Sequence, residues 1–374
     1  MTISERRHDI DWVRVIAIGL LIIYHVAIGF QPWGIYIGFI QNADSNTDIW
    51  IPMSMLNVWR IPLLFFVSGM GVCFALKRRN WKALIGERFK RIMIPFLIGT
   101  TAIVPLHVML WQNYYNQSIS YVWHPYHLWF LGNIFIYVLV LSPVFFYLKN
   151  QQGKALHLKL QKLFSHPIVL VLIAIPFVIE ALVINPTTFE TYALTWHGFT
   201  MGLLAFFFGF IFVYSGEGFW NLLVKWRYAL LVAAFGLYLF RYISFDLNAP
   251  NYLKAVESCF WIFTVLGFGK KHLNKPSHSL TYLSQAAYPV YILHMFFLYL
   301  AAWLLFPLDV HVMIKFVISI LFTGAGSILT YEYVIRRVDL LRVFFGLRKK
   351  KETPEKAQSA NSSIYLAKAT EDSH

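Results

Sequence analysis

The chain has little charge and almost no cysteine. Charged residues make up 13% of its 374 positions and hydrophobic residues 58%, with a mean hydropathy of +0.57. Soluble domains have about 25% charged residues, so this composition excludes a soluble fold. The two cysteines, Cys73 and Cys259, lie in apolar stretches without metal-type spacing, which argues against a disulfide framework and a zinc site. These absences predict an all-α, polytopic membrane protein.

The amino-terminal apolar run follows Arg6 and Arg7, as the apolar run of a secretory signal would. Arg14 interrupts its start, and residues 31–33 at its end offer no small-residue cleavage pattern. We therefore predict an uncleaved first transmembrane helix. No internal repeat is present, so nothing in the sequence supports the inverted-repeat architecture of many transporters.

Apolar runs of about 20 residues, the length that crosses a bilayer as a helix, recur along the chain. We predict about ten transmembrane helices, near 10–30, 57–76, 92–111, 127–148, 168–184, 200–214, 229–241, 255–269, 285–306 and 312–333. The fifth to eighth spans are short or weakly bounded. Residues 1–346 are thus predicted to form one transmembrane domain. Residues 347–374, basic and then polar, are predicted to form a disordered cytoplasmic tail near anionic lipid.

The formal net charge of +14 could indicate a nucleic-acid partner, but the basic residues occupy alternate loops, as topology signals do. They are Arg6, Arg7, Lys77, Arg78, Arg79, Lys82, Arg88, Lys90, Arg91, Lys149, Lys154, Lys159, Lys162, Lys225, Arg227, Lys270, Lys271, Lys275 and the tail from Arg336. The loops at 31–56, 112–126, 185–199 and 307–311 contain no lysine or arginine. This pattern predicts two cytoplasmic termini, an even number of crossings, and contact with lipid rather than nucleic acid.

Arg14 and His25 lie in the first span, separated by ten residues that are nearly all aliphatic. Eleven helical steps advance about 16 Å and return to within about 20° of the same face. Ionisable side chains at such depth usually face a bundle interior or a wet cavity, which predicts a functional site reaching through half the bilayer. The alternative is that Arg14 extends to the cytoplasmic headgroups and His25 to the opposite interface.

The loop between the second and third spans carries seven basic residues within 77–91. Arg88 and Arg91, just before Pro95, lie beneath Arg14 and could bind phosphate oxygens through forked hydrogen bonds. The alternative is an ordinary topogenic loop. Its position under Arg14 favours a phosphorylated cytoplasmic ligand.

Histidines are numerous on the predicted outer side of the membrane. They are His25, His107, His124, His127 and His197. Imidazole can accept a proton near neutral pH. The spacing predicts no metal site, because the one close pair, His124 and His127, straddles Pro125. Glu180, late in the fifth span, is an acid that could orient a histidine.

Further polar groups lie in other spans. Arg60 could hold an anionic or polyhydroxylated ligand, or could reach the outer headgroups. Tyr291 and His294 lie three residues apart on one helix face, where they could line a cavity or join helices. Ser68 and Gly69 are small, and we expect them to allow close helix packing.

Five motifs together resemble the integral-membrane acyltransferases of the acyltransferase 3 family. They are Arg14 with His25, Arg60 before Phe65-Phe66-Val67-Ser68-Gly69, Arg88 and Arg91 before Pro95, His127-Leu128-Trp129-Phe130-Leu131, and Tyr288, Tyr291 and His294. The resemblance covers residues 9–335 in the family's order. Within the family, the chain is most similar to the glucan biosynthesis protein C branch, which is associated with succinylation of periplasmic glucans.

The resemblance implies an enzyme of the bacterial inner membrane. Such an enzyme moves an acyl group, acetyl or succinyl, from cytoplasmic acyl-CoA to a hydroxyl of an extracytoplasmic carbohydrate. The resemblance implies that His25 is the catalytic histidine and that Arg14, Arg88 and Arg91 bind the donor. Acyl-CoA is expected as a co-substrate, with no permanently bound cofactor.

Other residues are expected to bind the acceptor or to line the cavity. They are Arg60, His127, Trp129, Tyr291 and His294. His25 is expected either to act as a general base or to carry the acyl group itself. The main alternative function is a carrier or flippase for a saccharide or a lipid-linked intermediate, which would also need polar groups in a multispan bundle.

Overall fold

The computed structural model describes residues 6–348, and within that range it contains helices, turns and no strand. The helices are α1 (His8–Ile28), α2 (Trp50–Leu76), α3 (Trp81–Tyr114), α4 (Trp129–Asn150), α5 (Ala155–Phe164), α6 (Ile168–Ile184), α7 (Trp196–Tyr214), α8 (Glu217–Phe245), α9 (Asn251–His272), α10 (His278–Leu305), α11 (Val312–Thr330) and α12 (Asp339–Phe344). The predicted tail at 347–374 lies almost wholly outside the described residues.

A helix lies at each of the ten predicted spans. Within residues 6–348, eight helices are individually long and apolar enough to cross a membrane. The pair α5 and α6, bent by 96°, would add a ninth span. The one remaining predicted span, 255–269, corresponds to α9, whose apolarity is reduced by Lys254 and Glu257. The prediction of an all-α, polytopic membrane protein is confirmed.

Several predicted boundaries were wrong. Helices α2, α3 and α10 begin at Trp50, Trp81 and His278 rather than near 57, 92 and 285, and α8 covers Glu217–Phe245 rather than 229–241. Lys225 and Arg227, assigned to a loop, therefore lie inside α8. Arg227 is accommodated there because its guanidinium lies 4.5 Å from the centre of the Tyr228 ring.

Helix α1 contacts four other helices of the bundle, α2, α9, α10 and α11. Its apolar side chains at Ala17, Leu21 and Ala27 are almost completely buried among these neighbours. Helix α10 in turn packs against α3 and α11. A polar side chain on the inward face of α1 is therefore enclosed by protein rather than by lipid.

Helices α2 and α7 approach each other closely through glycine. A Cβ atom on Gly69 would lie 1.9 Å from the carbonyl oxygen of Phe206, and one on Gly209 would lie 2.0 Å from that of Phe66. Small residues permit such backbone contact between membrane helices. The expected packing role of Gly69 is confirmed, while the Ser68 hydroxyl donates to the Leu64 carbonyl of its own helix.

Helix α3 contains two π turns, at Phe89–Met93 and Gly99–Ile103, and each is followed by a proline. Pro95 and Pro105 have no N–H group and leave a carbonyl four residues earlier without its helical partner. The carbonyl freed before Pro105, that of Thr101, accepts a hydrogen bond from the Tyr121 hydroxyl at 3.1 Å. The first π turn contains Arg91 and begins directly after Arg88.

Two cations at the end of the bundle opposite the basic loops are buried and paired with acids. Arg241 in α8 donates from Nε and Nη2 to both carboxylate oxygens of Glu257 in α9, at 2.6 and 3.0 Å. Lys254 pairs with Glu190 at 3.1 Å. These charges are compensated inside the protein, so they do not conflict with the loop pattern that predicts the orientation.

Candidate active site

The second half of α1 and the middle of α10 bring His25 and His294 together. Nδ1 of His25 lies 2.8 Å from Nε2 of His294. The rings are stacked, with centroids 5.1 Å apart and planes inclined by 5°. His294 is fully buried and His25 is half-buried. The pair forms only in the folded protein, because 269 positions separate the two residues.

Hydrogen-bond partners assign the protons of this pair. Nδ1 of His294 lies 2.6 Å from the carbonyl oxygen of Tyr291, and because a carbonyl only accepts, this nitrogen carries the proton. In a neutral ring, Nε2 of His294 is then an acceptor, and Nδ1 of His25 donates to it. Nε2 of His25 keeps its lone pair, as a general base must.

His127 lies against the same face of α10. Its Nε2 donates to the carbonyl oxygen of Ile292 at 3.2 Å, and its ring is nearly perpendicular to that of His294, 5.2 Å away. The hydroxyl of Tyr291 donates to the His127 carbonyl oxygen. Two hydrogen bonds thus attach the turn before α4 to α10, and the structure brings these three predicted residues together with His25.

Arg60 lies beside the histidine pair. Its guanidinium carbon is 3.7 Å from the centre of the Tyr24 ring, next to His25 in sequence, and the residue is only 2% exposed. The alternative that Arg60 reaches the outer headgroups is wrong, because the side chain is enclosed. Nε and Nη1 have no hydrogen-bond partner among residues 6–348. Unpaired donors on a buried cation are costly, which indicates a site for an oxygen-rich or anionic ligand.

Aromatic and imidazole rings complete the wall of this site. Trp129 is buried and packs edge-on to Phe65, with centroids 6.0 Å apart, and its role towards the acceptor or the cavity stays a prediction. His107 in α3 lies 5.8 Å from His127 and 4.9 Å from Tyr299. The sequence indicated His107 only as one of several outer histidines, since nothing in its local pattern identifies its partner helix.

A cavity of about 590 Å³ opens at the other end of the bundle, where the basic loops lie. Arg14, Arg88 and Arg91 all line it, together with Val67 and Gly71 of α2. The structure therefore places the three predicted donor ligands in one cavity. Both alternatives for Arg14, a functional site and extension to the headgroups, are compatible with this position. The side chain lines the cavity, is 40% exposed, and pairs with Asp11 at 2.8 Å.

Glu87 organises the basic residues of this cavity. Its carboxylate lies 3.3 Å from Arg91, 3.6 Å from Arg79 and 3.7 Å from Arg88. Nη2 of Arg88 also donates to the carbonyl oxygen of Gly71 at 3.1 Å. One acid therefore holds three guanidinium groups at a common wall, where a phosphate-bearing ligand would meet them together.

The basic cavity and the histidine pair lie on the same two helices at different depths. Arg14 and His25 are separated by about 16 Å of helical rise, and Val67 lies about 10 Å of rise from Arg60 on α2. Both helices are in direct contact. A ligand held by the cavity would therefore need a flexible arm to reach the histidines.

The remaining acidic candidate, Glu180, orients His197, which lies outside this site. Its carboxylate oxygens lie 3.0 and 3.1 Å from Nδ1 of His197, and Thr200 donates to it at 2.6 Å. Analysis of the sequence did not identify the Arg241–Glu257 pair, although two opposite charges in neighbouring apolar spans could have indicated it. Within residues 6–348, no group of three or more metal-binding side chains is assembled.

Fold and site together define a multi-pass membrane protein with a histidine pair in its interior and a basic cavity at one end. The acyltransferase domain model of the acyltransferase 3 family matches residues 7–332. The chain therefore belongs to this family and is a membrane acyltransferase. Neither the curated proteins nor the solved structures include a match to the chain.

The match confirms the family and the enzyme class predicted from the sequence. It extends over every helix that contributes to the two sites, from α1 to α11. The similarity to the glucan biosynthesis protein C branch stays a prediction.

Proposed function

We propose that the protein transfers an acyl group from a cytoplasmic acyl-CoA to a hydroxyl of an extracytoplasmic carbohydrate, in the inner membrane of a bacterium. The observation that carries the proposal is the hydrogen-bonded series from the Tyr291 carbonyl through His294 to His25, which leaves one basic nitrogen free. A second imidazole holds the base in one tautomer, as the acid does in a catalytic triad.

The donor is proposed to bind at the inner cavity. Arg88 and Arg91 would contact its phosphate oxygens, and Arg14 lines the same cavity. The pantetheine arm of CoA is flexible and ends in the thioester. It would extend between α1 and α2 and present the thioester carbonyl beside His25.

The proposed reaction is a direct transfer. Nε2 of His25 removes the proton of the acceptor hydroxyl while the oxygen attacks the thioester carbonyl. The carbon–sulfur bond then breaks, the proton passes from His25 to the departing sulfur, and the products are a carbohydrate ester and free CoA. Positioned general-base catalysis contributes about 10²–10⁴-fold to such a step. The variant with a covalent acyl-histidine would place the acyl group on the same nitrogen first.

For the acyl group itself, we propose succinyl rather than acetyl. Arg60 is buried near His25 with two unpaired nitrogens, Nε and Nη1, and it has no carboxylate partner among the described residues. A terminal carboxylate could accept a charge-assisted hydrogen bond from one of these nitrogens, whereas a methyl group would leave both unsatisfied.

The test uses the purified full-length protein, succinyl-CoA and simple or polymeric glucose acceptors. Release of free thiol that depends on the acceptor, together with an ester on the sugar detected by mass spectrometry, is expected. His25→Ala should abolish both while the protein stays in the membrane. His124→Ala is the matched control, because His124 lies outside the histidine pair and bonds to the Tyr126 backbone.

Two results would overturn the proposal. One is full transfer by His25→Ala, which would show that His25 is not the base. The other is absence of thiol release with every acyl-CoA and sugar tested, which would show that acyl-CoA is not the donor.

A further inference from the structure

The charge of the inner cavity exceeds what its own acids neutralise. Nine cations and two carboxylates line it. The carboxylates are Asp11 and Glu87, which pair with Arg6, Arg14, Arg79, Arg88 and Arg91. Arg7 pairs with Asp9 next to the cavity. Three lining cations have no carboxylate oxygen within 4.0 Å among residues 6–348. These are Lys77, Arg78 and Arg348.

Arg348 differs from the other two because it comes from a separate, folded segment. It follows α12 in a turn that hydrogen bonds close: Nε of Arg342 donates to the Arg348 carbonyl oxygen at 2.9 Å, and the Leu347 N–H donates to the Arg342 carbonyl oxygen at 2.7 Å. Nη1 of Arg342 also donates to the Arg336 carbonyl oxygen. The turn is therefore held in one conformation and does not need a ligand to form.

The turn is seated on the wall of the cavity through Gly346. This residue has φ +72°, and a Cβ atom on it would lie 2.8 Å from both the Arg91 carbonyl oxygen and the Tyr288 ring. The Arg91 carbonyl is the one that Pro95 leaves without its helical N–H partner. Glycine thus lets the carboxy-terminal turn lie directly on the π turn that carries Arg91, which places Arg348 at the mouth of the cavity.

The depth of the residues orders the cavity. On α2, Val67 lies deepest and Lys77 and Arg78 lie at the mouth, about 15 Å of helical rise away. A donor whose thioester points inward has its diphosphate near Arg88 and Arg91 and its adenosine end at the mouth. CoA carries a separate monophosphate on the 3′ oxygen of that ribose, and an unpaired arginine is the side chain suited to it.

We propose that Arg348 is a specificity residue that binds the 3′-phosphate of the CoA donor and so distinguishes acyl-CoA from donors that lack this phosphate. The proposal rests on the proposed function, since it concerns the donor of the same reaction. It assigns the segment from α12 to Arg348 to the donor site rather than to a cytoplasmic tail.

The test measures equilibrium binding to the detergent-purified full-length chain, with CoA and 3′-dephospho-CoA as probes. The wild-type protein should bind CoA about tenfold or more tightly than 3′-dephospho-CoA, the range expected for one charge-assisted contact. Arg348→Gln should lose this preference by binding CoA about tenfold more weakly, with little change for 3′-dephospho-CoA. Gly346→Ala should show the same loss, because the added methyl group displaces the turn.

The matched control is Arg337→Gln. Arg337 lies at the same end of the bundle, is 61% exposed and does not line the cavity, so its variant should keep the wild-type preference. Equal binding of the two probes by the wild type, or an unchanged preference in Arg348→Gln, would overturn the inference. Acceptor-dependent thiol release, measured separately, decides the proposed function, so the two failures remain distinct.

Discussion

His25 is held at one ring nitrogen and is free at the other. His294 is the residue that holds it, and His294 is itself fixed by a main-chain carbonyl that cannot rotate away. A side chain held in this way loses little further conformational freedom when the acceptor binds. Precise positioning of this kind increases the rate because the entropy cost has already been met.

We predict that His294→Ala lowers kcat about 100-fold and changes the KM for acyl-CoA little, because His25 loses its tautomer and orientation but not the donor site. The double variant His25→Ala/His294→Ala should be no slower than His25→Ala alone, since both act in one unit. His294→Asn, whose amide oxygen can still accept from His25, should recover part of the rate. Steady-state kinetics of thiol release measure all three, and additive losses would contradict the positioning role.

Arg60 gives a second prediction at this scale. Arg60→Gln should reduce kcat/KM for succinyl-CoA about 10- to 100-fold and leave acetyl-CoA almost unaffected, because only the longer acyl group carries a carboxylate that loses its charged partner. The ratio of the two specificity constants is the measurement. Equal losses with both donors would show that Arg60 serves the acceptor or the fold instead.

Sequence spacing was sufficient to select candidate site residues when the position of a residue on its own helix or loop decides its environment. Arg14 and His25 follow from helical periodicity and the cost of charge in lipid, and Arg88 and Arg91 follow from the position of their loop. The partners of these residues could not be derived, because the contact between His25 and His294 depends on how α1 and α10 pack. Arg348 was assigned to the tail, since a turn closed by backbone hydrogen bonds leaves no apolar pattern.

At the scale of helices, prolines determine the helical register of α3, and glycines determine the distance between α2 and α7. Pro95 and Pro105 each follow a π turn in α3, and each displaces the register of the residues before it. The ten predicted spans followed from hydropathy alone. The start of α2 and the full length of α8 did not, because polar side chains that end an apolar run need not end a helix.

The contact of α2 with α7 leads to a prediction about stability. Gly69→Val should destabilise the protein by about 2 kcal/mol or more, because the added atoms meet the Phe206 backbone, which cannot move without separating the helices. Thermal unfolding in detergent, followed by size-exclusion chromatography, measures the loss. Gly236→Ala is the control, since a Cβ atom there meets nothing within 4 Å. Equal midpoints for the two variants would contradict the close approach.

At the scale of the whole molecule, the two ends of the bundle differ in where their cations lie and in how these cations are paired. At one end the cations line an open cavity, and at the other Arg241 and Lys254 are buried with acidic partners. Only exposed basic residues report orientation, which is why both observations agree with cytoplasmic termini.

Orientation can be tested by labelling in intact cells. Cys73 and Cys259 are buried, so they should not react in the folded protein. Tyr36→Cys replaces an 86% exposed residue of the predicted outer loop and should react with a membrane-impermeant maleimide from outside. Arg337→Cys, on the predicted inner side, should react only after the cells are permeabilised. The reverse labelling pattern would invert the topology and place the basic cavity outside.

The series of two imidazoles ends on the Tyr291 main-chain oxygen and not on an acid, and within residues 6–348 no carboxylate oxygen lies within 4.0 Å of either ring. An imidazolium formed there would have no counter-ion to retain it. The captured hydrogen must leave with the sulfur in the same turnover, so that each cycle ends with a neutral interior. In a membrane that separates two compartments, the hydroxyl proton would end on the CoA thiol while the acyl group ends on the carbohydrate, so the exchange itself would move no net charge across the bilayer.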